Sequence, residues 1–404
     1  MTMNAADFIA KYRLAPESID GQSCLIQLCR DMEDGLAGKG SIPMIPSYLP
    51  LAVQPVPGSR CCIMDAGGTN LRCARAEFDD TGNCRIFNLC KTAMPGTKGT
   101  LTSDEFYGQL AGFVKNTGCT EQVGLCFSFN VLLERDLDGC LHSWCKEVRV
   151  PEAVGKPVGA SLKAAVGDSC KSVRVLNDST AALLGAHHAD PEIRVGLILG
   201  TGINVCYSEA CSRIPKAEKD LAGDAMIICT EIGEFQGIPK TQFDLQVIAA
   251  SDEPEMAHGE KQCSGAYLGD LISLAWRAAV KEGILGDAFA EKRSLPQISD
   301  YLAGSETAIA ESAEAKEIAR TMIHRAAKVA AILTAGPVLR SCCEGETCTI
   351  VIEGSQYTKL TGFGDCFRQE LKALLRPHGI GFEITQVENR CLIGAALAAF
   401  AEPM

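Results

Sequence analysis

The 404-residue sequence lacks the patterns by which several common classes of protein are recognised. No two of its 21 cysteines stand in a Cys-x-x-Cys pair, and its six histidines form no ligand cluster, which argues against a structural zinc site. No stretch fits the P-loop GxxxxGK[ST], the serine-hydrolase elbow GxSxG or the zinc motif HExxH. These classes are therefore excluded from the prediction.

An excess of positive charge and a long apolar run are also missing. The net charge is −12, whereas a nucleic-acid binder is usually basic where it touches phosphate. Any phosphate would be held by backbone amides, a metal ion and a few chosen side chains. The N-terminal MTMNAADFIAKYRLAP has no basic-then-apolar signal, and no segment offers about twenty uninterrupted apolar residues. We expect no nucleic-acid partner, no membrane partner and a cytoplasmic location.

The many cysteines are expected to be free thiols in a reducing compartment. The vicinal pairs Cys61–Cys62 and Cys342–Cys343 allow a second interpretation, as redox-sensitive thiols. We favour the interpretation as small hydrophobic residues in strands.

Two stretches share a pattern in which an apolar run reaches a glycine turn and a second apolar run follows. In IMDAGGTNLRCARAEF (63–78) an apolar run reaches an aspartate, breaks at Gly67-Gly68 and resumes, and RVGLILGTGINVCY (194–207) repeats the pattern. The length favours two domains, and the repeat favours a duplicated αβ domain. Either turn alone would be an ordinary hairpin. Two such turns, each followed by threonine or asparagine, indicate a phosphate site, because glycine lets backbone amides approach an anion.

Between these turns lies RVLNDSTAALLGAHHA, in which an apolar strand ends at Asn177-Asp178 and a helix begins. One interpretation is a helix N-cap, since Asn and Asp are preferred there. The other is that Asp178 projects from the strand end into a cleft and takes a proton from an attacking hydroxyl.

The rest of the chain reads as alternating strands and helices. The specific expectations are a helix over 5–38 broken at Pro16, one buried strand VGLCFSFNVLL, a serine-capped helix SDEFYGQLAGFV, a long helix AKEIARTMIHRAAKVAAILTAGPVL ending at Gly336-Pro337, a strand CTIVIEGSQY running into glycine, and a closely packing small-residue helix CLIGAALAAF.

Six segments, in order, resemble motifs of the hexokinase family, and the resemblance runs from about residue 12 to the C-terminus. They are DAGGTNLR for the first phosphate motif, SFN…LHSWCKE for the sugar loop SFP…NWTKG, LNDSTAALL for the catalytic aspartate, LGTGINVCY for the second phosphate motif, TEIGEF…TQFD…GEKQCSGAYLGDL for the large-domain sugar segment, and IEGSQYTKLTGF for the adenosine segment. So many ordered motifs leave no room for chance.

The resemblance implies an α/β, two-lobed, actin-like (ribonuclease-H-like) fold with duplicated mixed β-sheet domains. The small lobe would comprise 59–176 and 390–404, and the large lobe 1–58 and 177–389. The lobes would close over a hexose and Mg-ATP about hinges near 57–60 and 176.

The resemblance also implies an activity and a set of site residues. The activity is ATP-dependent phosphorylation of the hexose 6-hydroxyl, with Asp178 as general base, Lys146 near the transferred group, and ATP and Mg²⁺ required. Sugar contacts would come from Ser128, Cys145, Lys146, Asn177, Asp178, Asn204, Glu231 and Glu260. Phosphate and nucleotide contacts would come from Asp65, Gly67, Gly68, Thr69, Asn70, Arg72, Gly200, Thr201, Gly202, Gly354 and Ser355. Asp65 and Asp178 would hold Mg²⁺, through water.

The sequence departs from the family pattern around the sugar. Cys145 replaces a threonine, Asn130 a proline, Glu147 a glycine and Ile232 a tryptophan, and Glu234 follows Gly233. Glucose is the first choice of substrate, with mannose, fructose or an amino or N-acetyl hexosamine as alternatives. Two other functions are alternatives to a hexose kinase. They are a sugar sensor with little turnover and an actin- or chaperone-like ATPase. The intact Asp178 and Lys146 argue against a sensor, and the sugar segment 230–269 argues against an ATPase. Oligomeric state is not predicted.

Overall fold

The computed structural model describes residues 4–144, 148–217, 221, 223–305 and 309–404. These residues form a five-stranded, a six-stranded and a two-stranded β-sheet with surrounding α-helices. In chain order the strands are β1 (Ile45–Pro46), β2 (Arg60–Ala66), β3 (Asn70–Phe78), β4 (Cys84–Ala93), β5 (Gln122–Phe127), β6 (Asn130–Leu133), β7 (Gly139–Ser143), β8 (Ser172–Leu176), β9 (Ile193–Leu199), β10 (Ile203–Ala210), β11 (Ala225–Cys229), β12 (Thr347–Glu353) and β13 (Gly381–Thr385).

The helices surround these sheets and are named in the same way. They are α1 (Ala5–Tyr12), α2 (Gly21–Leu36), α3 (Ser103–Asn116), α4 (Val158–Val166), α5 (Asp178–Ala189), α6 (Gln242–Ala250), α7 (His258–Cys263), α8 (Gly265–Lys281), α9 (Leu295–Ala303), α10 (Ala313–Ser341), α11 (Ser355–Lys359), α12 (Phe363–Leu375) and α13 (Arg390–Ala398). The expected break of the first helix at Pro16 is confirmed, because α1 and α2 are separate.

The two large sheets repeat one arrangement. The five-stranded sheet has the order β4-β3-β2-β5-β8, and the six-stranded sheet has the order β1-β11-β10-β9-β12-β13. In the first, β2 pairs antiparallel with β3 and parallel with β5. In the second, β9 pairs antiparallel with β10 and parallel with β12. The predicted α/β fold with duplicated mixed sheets is confirmed, while the lobe boundaries stay a prediction.

Helices α5 and α13 cross each other between the two large sheets, and their glycines allow a close approach. A Cβ on Gly394 would lie 2.0 Å from the Ala181 carbonyl oxygen, and a Cβ on Gly185 would lie 2.1 Å from the Arg390 carbonyl oxygen. One apolar cluster joins both helices to strands of both sheets. The predicted close packing of CLIGAALAAF is therefore confirmed, and this crossing links the two sheets.

We expect Gly394→Ala to destabilise the protein, because the added methyl group meets backbone that has no room to retreat. Overpacking of this kind costs about 1–3 kcal/mol. Gly108→Ala, in α3, is the matched control, since a Cβ there meets nothing within 4 Å; a helical glycine replaced by alanine in open space gains about 0.5–1 kcal/mol. Denaturant unfolding of both variants measures the difference, and equal stability would contradict the packing argument.

Two predicted helix ends are wrong. Helix α3 is capped by Thr102 and not by Ser103: the Thr102 hydroxyl accepts from the Glu105 amide at 3.2 Å, and the Glu105 carboxylate accepts from the Thr102 amide at 2.8 Å. Helix α10 does not stop at Pro337 but continues to Ser341, whose hydroxyl donates to the Pro337 carbonyl at 2.8 Å. Burial of this helix end in the core outweighs the hydrogen bond that proline removes.

Among the described residues, α10 is the one helix that is long and apolar enough to cross a membrane by length and composition. However, 83% of its most apolar 18-residue segment is buried inside the protein. Helix α10 is the central helix of the largest apolar cluster.

The cysteines that the structure describes are all free thiols. Cys61 and Cys62 are fully buried in β2, as expected for small hydrophobic residues, whereas Cys342 is buried and Cys343 is exposed at the end of α10. The cytoplasmic location stays a prediction.

Candidate active site

Three parallel strands of the five-stranded sheet end side by side and present polar residues at one edge. Across the sheet Asp65 is paired with Cys126, and Cys126 with Leu176. The first glycine turn follows β2, Ser128 follows β5, and Asn177-Asp178 follows β8. Carboxyl ends of parallel strands are where open α/β sheets bind ligands, so the fold brings these predicted site residues together.

The predicted single strand VGLCFSFNVLL is wrong. It is two strands, β5 and β6, which belong to different sheets and are separated by Ser128-Phe129. The Ser128 amide donates to the Ala66 carbonyl at 3.1 Å, so β5 stays paired with β2 up to the residue at which β2 itself ends. The break places Ser128 at the sheet edge.

The six-stranded sheet presents a second such edge, at the ends of β9, β11 and β12. Gly200 follows β9, Glu231 lies just beyond β11, and Gly354 follows β12. A Cβ on Gly354 would lie 2.2 Å from the Leu199 carbonyl oxygen, and a Cβ on Gly200 would lie 3.5 Å from the Gly354 Cα. The second glycine turn, at residues 200–202, and the adenosine segment are far apart in sequence. At these distances they are in direct contact in the fold. Ser355 begins α11 beside them.

The two edges meet at the first residues of α5. The Cys206 thiol lies 2.8 Å from the Ser179 carbonyl oxygen, and the Cys229 sulfur lies 3.6 Å from the Ser179 hydroxyl. The Cys391 sulfur lies 3.7 Å from the Asp178 carbonyl oxygen. Asp178 therefore stands where the two sheets converge.

The first glycine turn is held by short-range contacts. Its predicted site residues are Asp65 at the end of β2, Gly67, Gly68 and Thr69 in the turn, and Asn70 and Arg72 in β3. The Arg72 guanidinium binds the Asp65 carboxylate at 2.8 and 2.5 Å, and the Gly67 amide donates to the Asn70 carbonyl at 3.0 Å. Thr69 and Asn70 are exposed at the turn. The turn thus places a carboxylate, a guanidinium and exposed polar groups together.

The second glycine turn is joined to a predicted sugar carboxylate. The Gly200 amide donates to the Gly202 carbonyl at 3.0 Å, and Thr201 lies exposed between them. Directly after the turn, the Ile203 amide donates to Glu260 Oε2 at 3.0 Å. A Cβ on Gly202 would lie 2.4 Å from that oxygen. A side chain at Gly202 would therefore displace the Glu260 carboxylate, and the turn and Glu260 are held together by the hydrogen bond from Ile203.

The helix-cap interpretation applies to Asn177 more than to Asp178. Asn177 is the N-cap of α5, and its side-chain oxygen accepts from the Ser179 amide at 2.8 Å. Asp178 is the first helical residue, and its Oδ1 accepts from the same amide at 2.8 Å. The helix start therefore has a cap without Asp178, and the shared amide orients the Asp178 carboxylate.

Glu231 and Asn204 form a reciprocal pair. The Asn204 amide group donates to Glu231 Oε1 at 2.6 Å, and the Glu231 backbone amide donates to Asn204 Oδ1 at 3.1 Å. These contacts hold Glu231 in the left-handed conformation, at φ 52°. Burial raises the pKa of the Glu231 carboxyl, and the nearby Asp178 carboxylate raises that pKa further.

We expect Glu231→Gln to stabilise the fold while weakening hexose binding. The pKa of Glu231 is raised above 4.5, so its contribution to stability is fully present below pH 4.5 and is lost as the pH rises through the folded-state pKa. A neutral glutamine avoids that loss, so the thermal midpoint rises by about 1–2 °C near pH 8 and less near pH 5. Hexose affinity falls about tenfold, since a charged hydrogen-bond acceptor is removed. A thermal gain that is equal at both pH values would contradict this assignment.

Two predicted site residues, Cys145 and Lys146, lie outside the described residues, as does Glu147. Of the other departures from the family pattern, Ile232 is fully buried, and the Asn130 amide donates to the Ser143 hydroxyl at 3.2 Å.

The carboxylates of the candidate site suit a metal ion that is bound together with a nucleotide. Within the described ranges, no group of three or more His, Cys, Asp or Glu residues is arranged to hold a metal ion. Mg²⁺ bound with a nucleotide typically uses only one or two carboxylates, with phosphate and water as its other ligands. Asp65 and Asp178 suit that chemistry.

Sequence reasoning missed three residues that touch the candidate site. Ser179, Cys206 and Cys229 join the start of α5 to β10 and β11. The two cysteines were interpreted as small hydrophobic residues because they lie in apolar strands. Cys229 lies at a strand end, two residues before Glu231. That position is the signal in the sequence that could have identified Cys229 as a residue of the site.

Solved structures share this two-lobed α/β fold. A hexokinase from Schistosoma mansoni, solved in complex with glucose, superposes with a TM-score of 0.84 at 23% identity, covering 98% of this chain and 100% of that one. A ROK hexokinase from Thermus thermophilus gives 0.55 at 18% identity, covering 85% of this chain and 98% of that one. At these identities the likeness shows the two-lobed α/β fold alone.

Sequence comparison identifies the family. Two family models, both described as hexokinase, match residues 5–188 and, in two overlapping parts, 194–299 and 287–401. The chain belongs to the hexokinase family.

Individual relatives agree with this assignment. Hexokinase-2 of Candida albicans is 33% identical over 269 residues, 60% of this chain and 55% of the relative. Hexokinase-2 of Saccharomyces cerevisiae is 29% identical over 280 residues, 63% of this chain and 57% of the relative. The chain spans about half the length of each of these two curated relatives. Hexokinase-7 of Oryza sativa subsp. japonica is 28% identical over 422 residues, 92% of this chain and 91% of the relative.

Proposed function

We propose that the chain phosphorylates a hexose at its 6-hydroxyl with ATP, and that glucose is the preferred hexose. The observation that carries the proposal is the position of Asp178, oriented at the start of α5 where the two sheet edges meet. Membership of the hexokinase family and the likeness to a hexokinase that binds glucose support it.

The sugar would lie among the groups of both edges. A polyol needs a donor or an acceptor for each hydroxyl, and Glu231, Glu260 and Asn204 supply carboxylate and amide groups. Ser128 and Asn177 would complete the set from the edge of the five-stranded sheet. Asp178 would accept the proton of the 6-hydroxyl as that oxygen attacks the γ-phosphorus, a role that typically contributes about 10²–10⁴-fold. The freed electron pair forms the new P–O bond, and ADP leaves.

The nucleotide would lie against the two glycine turns and the adenosine segment. Phosphoryl transfer is catalysed by positioning and by neutralising charge. Backbone amides of the turns and the Arg72 guanidinium would bind phosphate oxygens, with Lys146 predicted near the transferred group. Asp65 and Asp178 would hold Mg²⁺, through water; when bound, that ion supplies positive charge to the phosphates.

Closure of the lobes would protect the transferred group from water. Water is in large excess over sugar, so a site that assembles only around the hexose suppresses hydrolysis. The connector near 57–60 and the strand end near 176 are the proposed hinges. The crossing of α5 and α13 supports this proposal, because it supplies a packed pivot between the two sheets.

A coupled ADP-release assay over a panel of glucose, mannose, fructose, glucosamine and N-acetylglucosamine tests the proposal. We expect ADP release that depends on hexose and is greatest with glucose. Tight sugar binding without ADP release would instead indicate a sensor, and ADP release without sugar would indicate an ATPase. Preference for another hexose would revise the substrate and keep the reaction.

A further inference from the structure

The Cys229 thiol lies among three polar groups of the candidate site. Cys229 is the last residue of β11 and is 1% exposed. Its sulfur lies 3.1 Å from Glu231 Oε1 and 3.6 Å from the Ser179 hydroxyl, and it accepts from the Asn204 amide group at 3.3 Å. One side chain therefore contacts both the predicted sugar carboxylate and the residue that follows Asp178.

The hydrogen bonds around Cys229 have a defined direction. Burial raises the pKa of the Cys229 thiol well above its ordinary value, so the thiol keeps its proton at neutral pH and donates to the Glu231 carboxylate. The Ser179 hydroxyl in turn donates to Asn177 Oδ1 at 2.8 Å. The 3.6 Å contact between the Ser179 hydroxyl and the Cys229 sulfur is then a packing contact, because the hydrogens of both groups are directed elsewhere.

We propose that Cys229 is a positioning residue of the sugar site, whose thiol holds the Glu231 carboxylate in one orientation. The inference rests on the proposed hexose kinase function. Glu231 Oε1 receives two donors, the thiol and the Asn204 amide group, and two donors hold a buried carboxylate both ionised and in one orientation. With the thiol removed, one donor is left on that oxygen, and the carboxylate gains freedom to rotate away from the sugar.

The electrostatic surroundings of Glu231 set the expected pH behaviour. The groups that act on it are the Asp178 carboxylate from α5, the Glu234 carboxylate from the following turn, and the Cys229 thiol. Both carboxylates oppose its ionisation, whereas the donors favour it. Loss of the thiol donor therefore raises the pKa of Glu231, and the ionised form that accepts sugar hydroxyls is lost at a higher pH on acidification.

Three variants of the 404-residue chain test the proposal. Cys229→Ala removes the donor with a smaller side chain, Cys229→Val removes it with a larger one, and Cys229→Ser replaces it with a hydroxyl. We expect the alanine and valine variants to raise the KM for glucose about tenfold, with the KM for ATP changed less than about twofold. The acid limb of kcat/KM for glucose should move to higher pH in both variants, and serine should restore it.

The matched control is Cys61→Ala, which truncates another fully buried strand cysteine, one whose thiol lies 3.9 Å from the Ala396 carbonyl oxygen. Cys61→Ala should leave the glucose KM and the acid limb unchanged. The proposal is overturned if the alanine and valine variants keep both parameters, or if the control moves them equally. If neither the alanine nor the valine variant folds, Cys229→Ser tests the proposal alone. Because the serine hydroxyl is the stronger donor, the acid limb of kcat/KM for glucose should lie at or below the wild-type pH. An acid limb at higher pH would overturn the proposal.

Failure of this inference is distinguishable from failure of the proposed function. Wild-type protein that releases no ADP with any hexose contradicts the hexose kinase function. Calorimetric titration with glucose in the absence of ATP still tests Cys229, because positioning of Glu231 predicts an affinity loss in Cys229→Val that grows on acidification. Equal affinity at every pH would exclude the positioning role in either case.

Discussion

We expect replacement of Asp178 by alanine to lower kcat for hexose phosphorylation by about 10²–10⁴-fold, the usual contribution of a positioned general base. The reason is geometric: Asp178 is the first residue of α5, at the point where the edges of both large sheets meet. The sugar itself should still bind, because Glu231, Glu260 and Asn204 lie on other elements. Steady-state kinetics for kcat and calorimetric titration with hexose for affinity measure the two effects separately.

Two companion variants separate catalysis from helix capping. Asp178→Asn keeps the size and the oxygen that accepts from the Ser179 amide but removes the base, so it should lose turnover nearly as fully as alanine. Asp20→Asn alters another aspartate at a helix start: Asp20 caps α2 by accepting from the Ser23 amide at 3.2 Å, so this change should leave kcat unchanged. Near-normal turnover in both Asp178 variants would remove the general-base assignment.

The sequence correctly predicts the features that depend on residues close together in the chain. Two apolar runs that break at glycine predict two hairpins, and both are present, between β2 and β3 and between β9 and β10. The strand that ends at Leu176 and the helix that starts at Asp178 follow from a period change and from the capping preference of Asn177. These signals extend over fewer than about twenty residues, the range in which propensity and periodicity are informative.

Other features depend on contacts between distant segments, which periodicity does not carry. The stretch VGLCFSFNVLL predicts one strand because every residue in it suits a strand, but its partner β2 ends at Ala66, and the residues from Asn130 onward pair with β7 instead. Helix α10 passes Pro337 because tertiary burial outweighs propensity. The contact of Cys229 with Ser179 joins two residues that are 50 positions apart and that no sequence pattern connects. The parts of the site that the sequence does not predict are therefore those in which the fold brings distant segments into contact.

The second large effect is expected at Gly354, where the adenosine segment meets the second phosphate turn. Gly354 has φ 118° and ψ 150°, a conformation essentially restricted to glycine. A Cβ there would lie 2.2 Å from the Leu199 carbonyl oxygen and 2.8 Å from the Gly200 amide nitrogen. We expect Gly354→Ala to lower stability by about 3 kcal/mol, because backbone strain and overpacking act together. Because the displaced turn at Gly200 carries the proposed phosphate contacts, we also expect the KM for ATP to rise about a hundredfold.

Gly345→Ala is the matched control for that change, because Gly345 also has a positive φ, of 88°, but a Cβ there meets nothing within 4 Å. It shares the backbone strain without the contact, so it should lower stability by about 1–2 kcal/mol and leave the KM for ATP unchanged. The glucose affinity of Gly354→Ala, measured without nucleotide, should remain within a few-fold of wild type. Asn204 lies on β10 and Glu231 beyond β11, and Glu260 contacts the second glycine turn at Ile203 and not at Gly200. A loss of glucose affinity as large as the loss for ATP would show that the two glycine-bearing segments support the whole cleft, and the separate assignment of Gly354 to the nucleotide would be wrong.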